Sequence, residues 1–337
     1  MLDPFMGGGT TIVEALVTGR QPVGVDISPL AEFVARAKST PLSEDKLKAV
    51  ETWAEMIAGE TRIRGKTPAS FWAEAGYHKD IPWPIRKTTE KILECLSDLP
   101  ETRQRVFAQC VLLKTAQWAI DCREKIPSAE DLRLRFLFNI RQASDGMREF
   151  RQALKGHGLP RPKCLCLSRS TVGLENAREI RRFPKKPKLV LTSPPYPGVH
   201  VIYHQWQVHS RRRTSAPFWI IGSLDGHGSS HYTLGDYRQQ SLSKYFENAL
   251  SNFSSIRAVI DDSAIVVQLV GFADPRKYLP RYLLMMEEAG FEEVALECNT
   301  ASHIKRLWRN VPNRKWYADA KGRLLLSKEV VLVHRPT

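Results

Sequence analysis

Residues 1–26 constrain the fold of this 337-residue chain more than any other stretch. Gly7, Gly8 and Gly9 stand immediately ahead of an apolar helical pattern through Ile12, Ala15 and Leu16, and Gly19 is placed to stop that helix. Thr11 and Glu14 predict a capping box at its start. Pro22, Val23, Gly24 and Val25 then read as a short strand ending at Asp26. Glycine loop, helix, strand and acid in that order form a nucleoside-binding βαβ layout. Glycines let the backbone approach a ligand, and an acid after the second strand can accept both ribose hydroxyls.

A second feature lies at the end of an apolar run, Leu189 to Leu191, which reads as a buried strand. Thr192-Ser193-Pro194-Pro195-Tyr196 follows directly, and two prolines forbid the strand from continuing, so the chain must turn outward there. In an open α/β sheet the crevice beyond the carboxyl ends of the strands is where ligands sit, which places this turn for chemistry.

Together, DPFMGGGTT, GVDISP and TSPPY resemble the amino-methyltransferases of DNA, which transfer a methyl group from S-adenosylmethionine to N4 of cytosine or N6 of adenine. The three motifs cover a few dozen residues. The resemblance implies an α/β, Rossmann-like methyltransferase sheet. It carries Asp3, Pro4, Phe5, Gly7, Gly9, Thr10 and Thr11 to the methionine and adenosine parts of the cofactor, and Asp26 to its ribose. Ser193, Pro194, Pro195 and Tyr196 fall on the catalytic tetrapeptide. Phe5 remains divided between an adenine contact and a core aromatic. Only Met1 and Leu2 precede Asp3. The first strand is therefore expected to be very short, or to be completed by upstream residues, by a permuted order or by a partner polypeptide.

From Pro41 to Gly158 the pattern changes to apolar residues at three- and four-residue intervals, punctuated by Pro82, Pro84, Pro100 and Pro127. This is too long for a connection between adjacent strands, and it predicts a helical subdomain inserted at 41–160 between a first part of the sheet domain, 1–40, and the remainder, 161–337. Cys164 to Leu167 reads as a third strand, followed by Ser168-Arg169-Ser170 where related families carry an acid toward the adenine. Helices are expected over LSKYFENALSNFSSIRAVI and KYLPRYLLMMEEAG, and strands over SAIVVQLVGF, FEEVALEC and SKEVVLVH. The resemblance implies that one edge strand runs antiparallel.

A net charge of +14 favours a polyanionic partner. Arg211, Arg212 and Arg213 are interleaved with aromatics after the proline turn, and Lys305, Arg306, Arg309, Arg314 and Lys315 lie beside Trp308 and Trp316. Both stretches are candidates for contacting double-stranded DNA. The histidines at 200, 204, 209, 227 and 231 lack a cysteine or acid pattern and are read as loop residues rather than as a metal site. The six cysteines are read as reduced, packed thiols. With neither a bilayer-length apolar run nor a signal-peptide pattern, a cytoplasmic protein is expected.

Methylation at cytosine C5 needs a cysteine nucleophile, usually after a proline, and no Pro-Cys pair occurs. In the family, serine at the first motif position leans toward N4-cytosine. The reading is a site-specific cytosine-N4 methyltransferase of DNA, with a restriction endonuclease or partner subunit as the associated protein. Adenine-N6 methylation, RNA guanine-N2 methylation and a non-catalytic DNA-binding or incomplete subunit are the alternatives.

Overall fold

A computed structural model describes residues 1–59, 71–157, 163–183, 185–199, 205–209, 212–225, 231–235, 242–294, 306–310 and 328–337. The chain begins with β1 (Leu2–Asp3), α1 (Thr10–Val17), β2 (Val23–Asp26) and α2 (Pro29–Ser39). A helical stretch follows, with α3 (Glu44–Gly59), α4 (Phe71–Glu74), α5 (Trp83–Cys95), α6 (Thr102–Ile120) and α7 (Ala129–Gly156). Then come β3 (Leu165–Ser168), α8 (Arg178–Arg181), β4 (Leu189–Thr192), the hairpin β5 (Trp206–Val208) and β6 (Arg212–Thr214), and α9 (Ala216–Ile221). The last elements are α10 (Ser243–Val259), β7 (Ile265–Gly271), α11 (Pro275–Glu288), β8 (Phe291–Glu293), β9 (Leu307–Asn310) and β10 (Lys328–Pro336).

The main sheet runs β3-β2-β1-β4-β7-β10-β8, with β9 also paired to β10. The pairs β1–β2, β1–β4, β2–β3 and β4–β7 are parallel. This is a mixed α/β, Rossmann-like sheet, as the sequence implies. The antiparallel member is β10, which lies inside the sheet between β7 and β8 and not at its edge. Strand order reverses between β1 and β4, and that is where such sheets open a ligand crevice.

Helices cover both faces because side chains alternate along each strand. Val23 and Val25 of β2 join a core with Val190, Val266, Val330 and Leu332 against Phe253 of α10 and Tyr282 of α11. Gly24, between them, faces the other way, where an added Cβ would stand 2.4 Å from Met6 Sδ and 2.8 Å from Ile12. The helical stretch does not have a core of its own. Leu16 of α1 and Leu30 of α2 belong to one buried cluster with Val50, Trp53, Leu112, Phe136 and Phe218.

The start of α1 differs from the capping box expected at Thr11. Gly9 is the N-cap, left-handed at φ 73°, with no side-chain cap. Thr11 therefore falls inside the helix. The helix stops as expected. Gly19, at φ 73°, donates to Leu16 and Arg20 donates to Ala15, the paired bonds of a Schellman stop.

Candidate active site

A cavity of about 370 Å³ opens at the carboxyl ends of β1, β2, β3 and β4, lined by residues that follow each strand. Pro4, Phe5 and Gly7 come from the β1 turn, Asp26 and Ile27 from β2, Ser170 and Thr171 from β3, and Ser193 to Tyr196 from β4. The glycine-loop and proline-turn motifs, distant in sequence, thus face one space, and its size is that of a small-molecule site.

Asp26 is buried and shaped for an acceptor role. One carboxylate oxygen takes the Gly7 N–H at 3.0 Å and the other takes the Ser28 N–H at 2.9 Å. Burial pushes its carboxyl up to about 6, against these hydrogen bonds, which pull it down. Asp3, Gly9, Thr10 and Thr11 are not among the walls. Asp3 is 2% exposed and accepts from Thr192 Oγ1 at 2.7 Å and from the Phe5 N–H at 3.2 Å, so it braces the loop from behind. Gly9 is needed for a close approach, since a Cβ there would lie 2.6 Å from Ala35 Cβ and 2.7 Å from Ala35 Cα.

The proline turn is held at several points. Pro195 offers its carbonyl to the buried Tyr245 hydroxyl at 2.7 Å, while among the described residues nothing donates to the Pro194 carbonyl. Ser193 is exposed, and its Oγ lies 3.1 Å from the Leu269 carbonyl and 2.9 Å from Tyr196 Oη. The Tyr196 ring lies against Gly271, where a Cβ would come within 2.7 Å. Its hydroxyl donates to Glu329 at 2.5 Å. Burial, reinforced by the Glu329 hydrogen bond, pushes the Tyr196 phenol up to about 12.

Sequence reasoning missed the far wall of the cavity, which includes Val199, His231, Tyr232, Leu234 and Asn252. Tyr232 donates to Asp225 Oδ1 at 2.9 Å, and Asp225 is fixed through its backbone by Tyr77. Glu329 was also missed. A lone acid directly ahead of the apolar run Val330 to Val333 was the available signal.

The basic candidates fall in different places. Arg213 is exposed on β6, and Arg212 pairs with Asp80 at 2.7 Å. Arg306 makes two bonds of 2.7 Å to Glu293, and Arg309 donates to Glu329 at 2.8 Å. Arg211, Lys305, Arg314 and Lys315 lie outside the described residues. So do His200, His204 and His227, and among the described residues no group of three or more His, Cys, Asp or Glu is arranged around a metal position. Cys164 and Cys166 are free thiols with sulfurs 3.8 Å apart. Among the described residues no helix is long and apolar enough to cross a membrane.

No family model matches the chain. A solved rRNA methyltransferase, aviRa from Streptomyces viridochromogenes, aligns with 98% of this chain and 75% of its own at 11% identity and a TM-score of 0.33. The chain is 25% identical over 222 residues to the type II methyltransferase M.MvaI of Kocuria varians, covering 58% of this chain and 46% of that protein. It is 40% identical over 50 residues to the type II methyltransferase M.MjaII of Methanocaldococcus jannaschii, covering 15% of this chain and 9% of that one. The chain therefore spans less than half the length of these curated relatives, and it is weakly homologous to type II methyltransferases.

Proposed function

We propose that the chain is a site-specific DNA methyltransferase that moves a methyl group from S-adenosylmethionine to the N4 amine of cytosine. The observation that carries this reading is the position of Ser193 to Tyr196 across the switch-point cavity from Gly7 and Asp26. The residues present fit the cofactor. Asp26 offers carboxylate oxygens at the end of β2, Gly7 leaves open space where a side chain would stand, and Pro4, Phe5 and Ile27 supply apolar surface. S-adenosylmethionine supplies an activated methyl on a sulfonium.

The chain's own residues then act on the base. An exocyclic amine is a poor nucleophile because its lone pair is delocalised into the ring. Ser193 Oγ and the open Pro194 carbonyl accept from the amino hydrogens and favour the pyramidal nitrogen of the transition state. The Tyr196 ring stacks on a base rotated out of the duplex, and orientation contributes much of the rate. Helical residues 41–160 serve as an insertion that is packed into one core with α1 and α2. Arg213 contacts DNA, together with Lys305, Arg314 and Lys315 rather than the carboxylate-held Arg306 and Arg309, and a restriction endonuclease or partner subunit is the associated protein.

Nucleoside mass spectrometry of mixed-sequence duplex DNA, after incubation with protein and S-adenosylmethionine, tests the reading. N4-methylcytosine is the expected product, and N6-methyladenine reverses the base assignment alone. Methylguanosine in RNA with unmodified DNA overturns the DNA reading. No methylated nucleoside, together with no calorimetric binding of the cofactor, leaves the incomplete subunit.

A further inference from the structure

Glu329 is 4% exposed, and a carboxylate so enclosed is costly unless its oxygens are engaged. Oε1 accepts from the Tyr196 hydroxyl at 2.5 Å, and Oε2 accepts from Arg309 Nε at 2.8 Å. Tyr196 Oη is 2.9 Å from Ser193 Oγ, and Ser193 forms part of the cavity wall. Three oxygens thus run in series from the cavity to a buried carboxylate. They share two hydroxyl protons, and when Tyr196 donates to Glu329, the single Ser193 proton has two acceptors in reach, the Leu269 carbonyl at 3.1 Å and Tyr196 Oη at 2.9 Å, and it is the rotamer aimed at Tyr196 that completes the series. Both hydroxyls then point the same way along the series, the arrangement that passes a proton inward.

We propose that Ser193, Tyr196 and Glu329 form a proton relay that takes up the proton released when the target amine is methylated, with Glu329 as the terminal acceptor. This rests on the methyltransferase reading above. As the amine nitrogen forms its bond to carbon with its lone pair, the carbon–sulfur bond breaks and its electrons stay on sulfur. The nitrogen then recovers an N–H electron pair, and that proton goes to Ser193 Oγ. The Ser193 proton moves to Tyr196 Oη and the Tyr196 proton moves to Glu329, which becomes a neutral acid. The net products are the methylated base, a thioether and protonated Glu329. Tyr196 suits the middle position because its phenol, pushed up to about 12, stays protonated and works by exchanging one proton for another. Arg309 is half exposed and touches the acceptor, so Glu329 lies within one side chain of solvent, where the proton is returned. Glu329 acts through Tyr196 and Ser193 and is a positioning residue, not a group that touches the base.

Tyr196→Phe keeps the ring and removes the relay oxygen, and Glu329→Gln keeps the shape and removes the acceptor. Each should lower the single-turnover rate by about 10- to 100-fold and leave KM for DNA within about twofold. The double variant should be no slower than the slower single variant. A solvent deuterium effect on the wild-type transfer step should be absent from both variants. In the cofactor-free protein, ring-carbon NMR of Tyr196 should show little titration up to about pH 11, and Glu329→Gln should bring its onset below that. A methylating wild type whose Glu329→Gln variant keeps its rate and its deuterium effect overturns the relay alone. Losses that multiply in the double variant, or that appear in KM, also overturn it. A wild type that methylates no base overturns the proposed function, and the relay falls with it.

Discussion

The Thr192 hydroxyl donates to Asp3 Oδ1 at 2.7 Å, joining the last residue of β4 to the last residue of β1 across the point where strand order reverses. The bond ties the glycine loop to the proline turn. Thr192 and Asp3 are each 2% exposed, so no water can replace it cheaply. Thr192→Val keeps the shape and leaves one acceptor on a buried acid short of a partner. Urea unfolding should report a loss of roughly 1–3 kcal/mol. An unchanged midpoint would show that the bond contributes nothing.

Asp26 gives a prediction with a definite sign. Burial raises its folded pKa to about 6 from an ordinary 3.8, so its contribution to stability is fully present below about pH 4 and is lost as pH rises through 6. Asp26→Asn has no such loss. Between pH 4 and 7.5 the stability difference should move in the variant's favour by up to about 3 kcal/mol, followed by chemical denaturation at both ends of that range. Cofactor binding by calorimetry should fall in the same variant, and unchanged binding would remove Asp26 from the site.

Gly9 and Gly271 separate loop integrity from ring placement. Gly9→Ala meets the Ala35 backbone at 2.7 Å in a left-handed conformation, and the cost should be roughly 2–4 kcal/mol with loss of cofactor binding. Gly271→Ala meets the edge of the Tyr196 ring, also at 2.7 Å. Turnover should fall by about 10-fold while cofactor affinity stays within about twofold. Equal losses of affinity in both variants would show that Tyr196 and the glycine loop do not act separately.

The basic residues should divide by whether a carboxylate already holds them. Arg213 is exposed on β6, whereas Arg306 makes two bonds to Glu293. In filter-binding titrations against salt, Arg213→Ala should reduce the slope of log affinity by about 1. Arg306→Ala should leave the slope unchanged and lower stability by about 1 kcal/mol or less. The opposite pattern would place the DNA contact at Arg306.

Much of the fold is written in neighbouring residues. Prolines at 194 and 195 end β4, Gly19 ends α1, and the three- and four-residue apolar spacing marks α3 to α7. Periodicity and turn chemistry act over a few residues, so a sequence displays them directly. The acid at Asp26 and the turn at Ser193 belong to the same class, and the structure sets them on one cavity. The start of α1 was misread because Ser/Thr capping rules compete with a left-handed glycine, and Gly9 is also required by its approach to Ala35.

What tertiary structure alone decided is which distant residues meet. Tyr232 and Asn252 reach the cavity because the chain folds back over it, and no local pattern marks them. Glu329 is the clearest case. The insertion of β10 between β7 and β8 pairs Glu329 with Gly271, whose missing side chain makes room for the Tyr196 ring. Sequence by itself determined a glycine loop, an acid and a proline turn at strand ends. Strand order and register, which depend on burial of whole faces, decided that a carboxylate from the last strand stands behind the tyrosine.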